Sequence, residues 1–198
     1  SVDIGSVSNA SFTASNGAVT SVLPVAPSNG AASQFTVAVT PTAGVASGTV
    51  ALSVTNSVKD LSGNSIVATS LGTLDSQGID TLAPNAPSTP VVTDDVGSIQ
   101  GQVSINGFSN DPTPTVSGTA EAGTTVSLYN NGSILLGSVT ATGGNWTLTP
   151  PSNLQAGQYS LTAVATDAAG NVSGASSAWV GTLDFTGPSL TSTTDRKS

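Results

Sequence analysis

Apolar and polar residues alternate at period two along much of this chain. Phe35-Thr-Val-Ala-Val-Thr40 and Val50-Ala-Leu-Ser-Val-Thr55 show the pattern in the first part. Thr115-Val-Ser-Gly118, Thr125-Val-Ser-Leu-Tyr129, Trp146-Thr-Leu-Thr149, Tyr159-Ser-Leu-Thr-Ala-Val-Ala165 and Ala178-Trp-Val-Gly-Thr-Leu183 show it in the second. Alternation sends one face of a segment to a core and the other to water, so these runs predict strands. Turn formers separate them: Asn130-Asn-Gly132, Gly143-Gly-Asn145, Pro150-Pro151 and Ala168-Ala-Gly-Asn171. Short strands at regular spacing, with no helical periodicity between them, predict an all-β chain of antiparallel β-sandwiches. One stretch, Asn153-Leu-Gln-Ala-Gly157, suits a single helical turn.

The stretch Asp80-Thr-Leu-Ala-Pro-Asn-Ala-Pro87 interrupts the pattern. Its two prolines keep it out of helices and central strands and hold it extended. A relative, Asp184-Phe-Thr-Gly-Pro188, follows 104 residues later. The turn Val58-Lys-Asp-Leu-Ser-Gly-Asn64 is echoed by Ala165-Thr-Asp-Ala-Ala-Gly-Asn171, with Asp60 and Asp167 107 residues apart. Two features recurring at nearly one period indicate tandem units joined by short proline-containing connectors. The expected division is 1–79, a sandwich lacking its opening strand or strands; 80–183, a complete sandwich; and 184–198, a connector with the first strand of a following unit. The short first unit has two readings. Either the chain is cut from a longer one, or Ser189–Lys197 completes the first unit of a neighbouring copy by head-to-tail strand exchange.

Charge narrows the partners. Only 7% of the 198 residues are charged, and three basic residues (Lys59, Arg196, Lys197) face eleven acidic ones, for a net charge of −8. Nucleic acid and anionic lipid both require clustered Lys and Arg, so neither is expected. A divalent cation is the natural partner of such a chain. Polar residues interrupt every apolar stretch, so no membrane insertion is expected. Cys, His and Met are absent, which leaves no disulfide, zinc, haem or thiol chemistry from the chain's own residues. The N-terminus shows no basic region followed by an apolar core.

Catalysis is not expected. A Ser or Thr nucleophile would have no His base. Glu121 is the only Glu and reads as a loop residue, so the paired carboxylates of a glycosidase are not evident. The informative residues are Asp60, Asp75, Asp80, Asp94, Asp95, Asp111, Asp167 and Asp184, all expected in hydrated turns or connectors. Asp often sits in turns simply because it caps its own backbone. The adjacent pair Asp94-Asp95 is harder to explain that way, because like charges repel. Carboxylates gathered at sandwich ends without Lys or Arg need a cation, and hard oxygen ligands suit Ca2+. Trp146 and Trp179, with Tyr129 and Tyr159, lie in alternating strands and read as core residues. Exposed on one face, the two tryptophans would instead form the platform of a carbohydrate-binding module.

The connector Asp80–Pro87, Val92-Thr-Asp-Asp-Val-Gly97, Asn110-Asp-Pro-Thr-Pro-Thr-Val-Ser-Gly-Thr-Ala-Glu-Ala-Gly123, Gly144-Asn-Trp146 and Ala165–Asn171 occur in order. Together they resemble the bacterial immunoglobulin-like repeats of large surface adhesins of the type I-secreted, RTX or biofilm kind. The first part resembles a sister repeat, mainly over Phe35–Gly63. The resemblance implies tandem immunoglobulin-like sandwiches at the bacterial cell surface, partnered by neighbouring repeats, that hold a distal binding domain away from the cell. It also implies Ca2+ stiffening the junctions, with Asp80, Asp94, Asp95, Asp111, Asp167 and Asp184 as its ligands here. Phe185 departs from the small residues usual at that place in the connector.

Overall fold

A computed structural model of the chain describes residues 1–32, 34–55, 58–65 and 75–187. Two compact units result, Ser1–Ala83 and Pro84–Ser198, and their division falls inside the proline-containing stretch Asp80–Pro87. Residues 80–90 form no strand, as the fixed φ angles and missing N–H groups of Pro84, Pro87 and Pro90 require. The segment Ser189–Lys197 lies outside the described residues.

The first unit holds β1 (Val2–Asp3), β2 (Phe12–Ala14), β3 (Gly17–Val25), β4 (Ala31–Ala32), β5 (Gln34–Pro41), β6 (Gly48–Val54) and β7 (Asp75–Ile79). They form three small sheets: β1 with β4, β3 with β5, and β2–β6–β7. The β3–β5 pair is a long antiparallel hairpin whose register shifts between Val19 and Ser21. That bulge breaks the alternation of β3, which is why the sequence pattern there is weak. Among its described residues the buried apolar ones are few and small: Ala31, Ala32, Val54 and Val58. The inward residues of β5 are only half-buried. Asp75 opens strand β7, where a turn was expected.

The second unit holds β8 (Val91–Asp94), β9 (Gly101–Val103), β10 (Gly107–Ser109), β11 (Thr115–Thr119), β12 (Thr125–Asn130), β13 (Ile134–Thr140), β14 (Asn145–Leu148), β15 (Gly157–Thr166) and β16 (Trp179–Leu183). Two sheets result, ordered β14-β11-β8-β9 and β10-β16-β15-β12-β13. Pairing is antiparallel except that β10 runs parallel to β16. Alternate residues of both sheets meet in one core that includes Val92, Val116, Val126, Leu128, Leu161 and Ala163. Each large aliphatic side chain buried this fully contributes about 1.5–3 kcal/mol.

Trp146 and Trp179 belong to that core. Trp179 Nε1 donates to the carbonyl of Val103 at 3.0 Å and so ties β16 to β9 of the facing sheet. Gly118 lies directly across the β11–β14 pair from Trp146. A Cβ at Gly118 would stand 2.8 Å from the indole ring, so only glycine leaves room for it. With both rings enclosed, the aromatic platform of a carbohydrate-binding module does not form.

The fold is all-β, and the described residues contain no α-helix. The helical turn expected at Asn153–Gly157 is not there. The segment runs irregularly, its Leu154 N–H donates to the carbonyl of Pro112 at 2.7 Å, and Gly157 already opens β15. Asn131 and Gly132 both take positive φ, 50° and 69°, the conformation that reverses a tight hairpin between β12 and β13.

Candidate functional site

Strands β8, β10 and β16 of the second unit end side by side, because Ser109 pairs with Leu183 and Asp94 closes the strand that pairs with β11 and β9. This is the end at which the chain leaves the sandwich. It gathers Asp94, Asp95, Asp111 and Asp184 from three separate segments. Asp94 and Asp111 are 5% and 0% exposed, although hydrated turns were expected for both. Burying a carboxylate is costly unless its oxygens are hydrogen-bonded, and here they are.

Ser109 organises the cluster. Its hydroxyl donates to Asp94 Oδ2 at 2.6 Å and accepts the N–H of Asp111 at 3.1 Å. Its carbonyl accepts the N–H of Asp184 at 2.9 Å. Asp94 also accepts the N–H of Val96 on Oδ1 and that of Asn110 on Oδ2. Asp111 accepts from Thr113 N–H at 2.8 Å, and from Asp95 N–H on its other oxygen at 3.3 Å. The side chain of Asp95 is exposed, as is that of Asp184. Asp184 accepts the hydroxyl and the N–H of Thr186. The Thr186 side chain, then its backbone, hold the Asp184 carboxyl below the usual carboxylate range.

A cleft of about 330 Å3 opens at this end, lined by Asp94, Ser98, Ile99, Phe108, Asn110 and Asp184 among others. Ile99 and Phe108 are 86% and 72% exposed. Sequence reasoning did not single out Ser109, Ile99 or Phe108. The segment around them is short and rich in Gly, Ser and Asn, with no alternation long enough to flag a strand.

The remaining expected ligands lie elsewhere. Asp167 follows β15 at the opposite end, where the chain enters and Ser88 and Thr119 exchange hydrogen bonds. Its Oδ1 accepts the N–H groups of Ala169 and Asn171, and its Oδ2 accepts the Asn171 amide at 2.9 Å. That amide is the main reason its carboxyl is held below the ordinary range. Asp60 makes the same turn in the first unit with Ser62 and Asn64, at 2.8–3.0 Å, and its carboxyl is lowered chiefly by the Asn64 amide. Asp80 belongs to the first unit and accepts the N–H of Leu82 at 3.1 Å. The fit to Ca2+ is therefore partial. Oxygen donors converge at the exit end, but among the described residues no three carboxylates stand in a ligating arrangement.

The spacing and chemistry of these elements have a counterpart among known families. The family described as bacterial Ig-like domain matches residues 86–184. The chain belongs to this family. The match spans β8 to β16, so the whole exit-end cluster lies on a bacterial Ig-like domain. No curated protein matches the chain. Among solved structures it is similar to one titled "Biofilm associated protein - BSP domain", at 18% identity and a TM-score of 0.35, covering 93% of this chain and 26% of that one. At that score the two backbones differ too much for the likeness to carry weight, and the present chain spans about a quarter of the other's length. Among the described residues, no helix is long and apolar enough to cross a membrane.

Proposed function

We propose that this chain is a structural spacer of a bacterial surface adhesin, and that its Ig-like units hold a distal binding domain away from the cell in adhesion or biofilm formation. The observation that carries this reading is the path of the chain through the second unit. It enters beside Thr119 and leaves beside Ser109, at opposite ends of the sandwich. Units joined in that way add length with each copy, as a spacer requires. The site residues support binding of an ion better than turnover of a substrate, because the carboxylates sit in satisfied turns with no His or Cys beside them.

Ca2+ is the cation proposed for the exit end. Since no three carboxylates ligate together there, at most two of Asp94, Asp95, Asp111 and Asp184 would hold it, with neighbouring carbonyl oxygens, the hard donors it prefers. Asp80 and Asp167 are separate candidates at their own places. Metal that binds only the ordered end stabilises it by mass action and stiffens the chain beyond. Small-angle scattering of the chain in calcium and in chelator tests this. The expected result is a larger maximum dimension in calcium, lost in the double variant Asp95→Asn, Asp184→Asn. An unchanged dimension removes calcium stiffening from the account.

A further inference from the structure

Four strands form the edges of the second unit: β9 and β14 in one sheet, β10 and β13 in the other. Three of them are short, with three residues in β9 and β10 and four in β14. Short edge strands are one way in which sheets avoid pairing with other chains. The fourth, β13, runs for seven residues with no Pro and no charged residue. Among the described residues β13 pairs only with β12, so its outer main-chain groups have no partner. The bulge decides what this edge presents. Gly137 lies opposite Leu128 and Leu135 opposite Tyr129, which leaves Leu136 as the extra residue. Leu136 packs against the core, and the shift of one residue sends Leu135 to the other face. Ile134 and Leu135 are 56% and 55% exposed. Beyond the bulge, Gly137–Thr140 pair in regular register with Thr125–Leu128.

We propose that β13 pairs antiparallel, edge to edge, with β13 of a second copy of this chain. The regular run Gly137–Thr140 supplies the main-chain hydrogen bonds about a two-fold axis, and Ile134 and Leu135 of each copy become covered. Charge singles out a second copy as the occupant. Two chains of net charge −8 repel wherever their acids face each other. The stretch Ala122–Thr166, which contains β12 to β15, has no Asp, Glu, Lys or Arg. Repulsion between copies is therefore weakest along this side. A basic partner would be drawn to the acidic ends of the unit and would find no counter-charge on β13. Antiparallel pairing turns the two units to point in opposite directions. On the spacer reading above, such units belong to chains that project from facing surfaces, so the contact joins one cell to another. The pairing itself does not depend on that reading.

The test follows the full chain by sedimentation equilibrium up to about 1 mM, in chelator so that no calcium bridge contributes. The mass is expected to rise from that of one copy toward that of two, and to rise further with added salt, which screens the repulsion between copies. In the concentrated sample, the amides of residues 134–140 that β12 does not engage exchange roughly ten times more slowly than in the dilute one. Leu135→Lys gives β13 the residue that natural edge strands use against pairing and abolishes the rise in mass. Thr140→Lys, at an exposed position at the other end of β13, is the second variant and does the same with an unchanged unfolding midpoint. Ile105→Lys adds the same charge at a residue 58% exposed outside β13 and keeps the dimer. The proposal is overturned by a mass that stays at one copy throughout, by a dimer without slowing at 134–140, by a dimer that survives both β13 variants, or by one lost in Ile105→Lys.

Discussion

Ser109 stands between two buried acids, donating its hydroxyl to Asp94 Oδ2 at 2.6 Å while accepting the N–H of Asp111 on the same oxygen. Ser109→Ala leaves a buried carboxylate short of a donor and a buried N–H without its acceptor. Hydrogen bonds to charged groups of this kind contribute about 1.5–3 kcal/mol. The expected outcome is a loss of that size in urea unfolding of the second unit, with a lower midpoint and an unchanged slope.

The Asp167–Asn171 turn makes stability depend on pH in a defined direction. The folded pKa of Asp167 lies below its ordinary value of 3.8, chiefly because of the Asn171 amide. A lowered folded pKa means the contribution is fully present above the unfolded value and is lost as pH falls through the folded one. Asn171→Ala should therefore destabilise the second unit at pH 7. The difference from the parent chain should shrink through the acid range below about pH 4 and vanish at the lowest pH. Carboxyl NMR titration should show the Asp167 midpoint rising in the variant.

Leu161 and Leu52 offer a contrast between the units. Leu161 is 2% exposed in a closed core, whereas Leu52 lines an open groove. Leu161→Ala should cost about 2–5 kcal/mol, the range for large-to-small core changes. Leu52→Ala should cost clearly less, because part of that side chain already meets water. Thermal unfolding of the two variants, read by the tryptophans for the second unit and by hydrogen exchange for the first, checks this.

Gly181 adjoins the other indole. A Cβ there would meet the Trp179 ring at only 2.2 Å, so Gly181→Ala must displace the ring or the strand. A loss of about 1–3 kcal/mol is expected for such overpacking, together with a change in near-UV circular dichroism as the Trp179 hydrogen bond to Val103 loosens.

What the sequence revealed followed from side-chain periodicity. The strands at Thr115, Thr125, Trp146, Tyr159 and Trp179 alternate cleanly because they face one core, so their places were legible. β3 and β13 were not. A register shift at Val19–Ser21 breaks the pattern of β3, and β13 begins with three apolar residues and pairs across a bulge at Leu128–Tyr129. β9 and β10 are three residues each, too short to show a period. At the candidate site the acids were visible as residue types, but their burial was not. Asp111 looks like any turn Asp before a proline until Thr113, Asp95 and Ser109 are seen around it. The repeated Asp-x-x-Gly-Asn turn was legible because it is local, with every partner within four residues.

The parallel pairing of β10 with β16 bears on how the second unit answers a mechanical pull. The N-terminal side of the unit is drawn toward one end and the C-terminal side toward the other, along the strand axes. Bonds between β10 and β16 are then loaded together, in shear, instead of opening one by one like a zipper. A unit wired this way resists stretching better than one whose terminal strands unzip bond by bond.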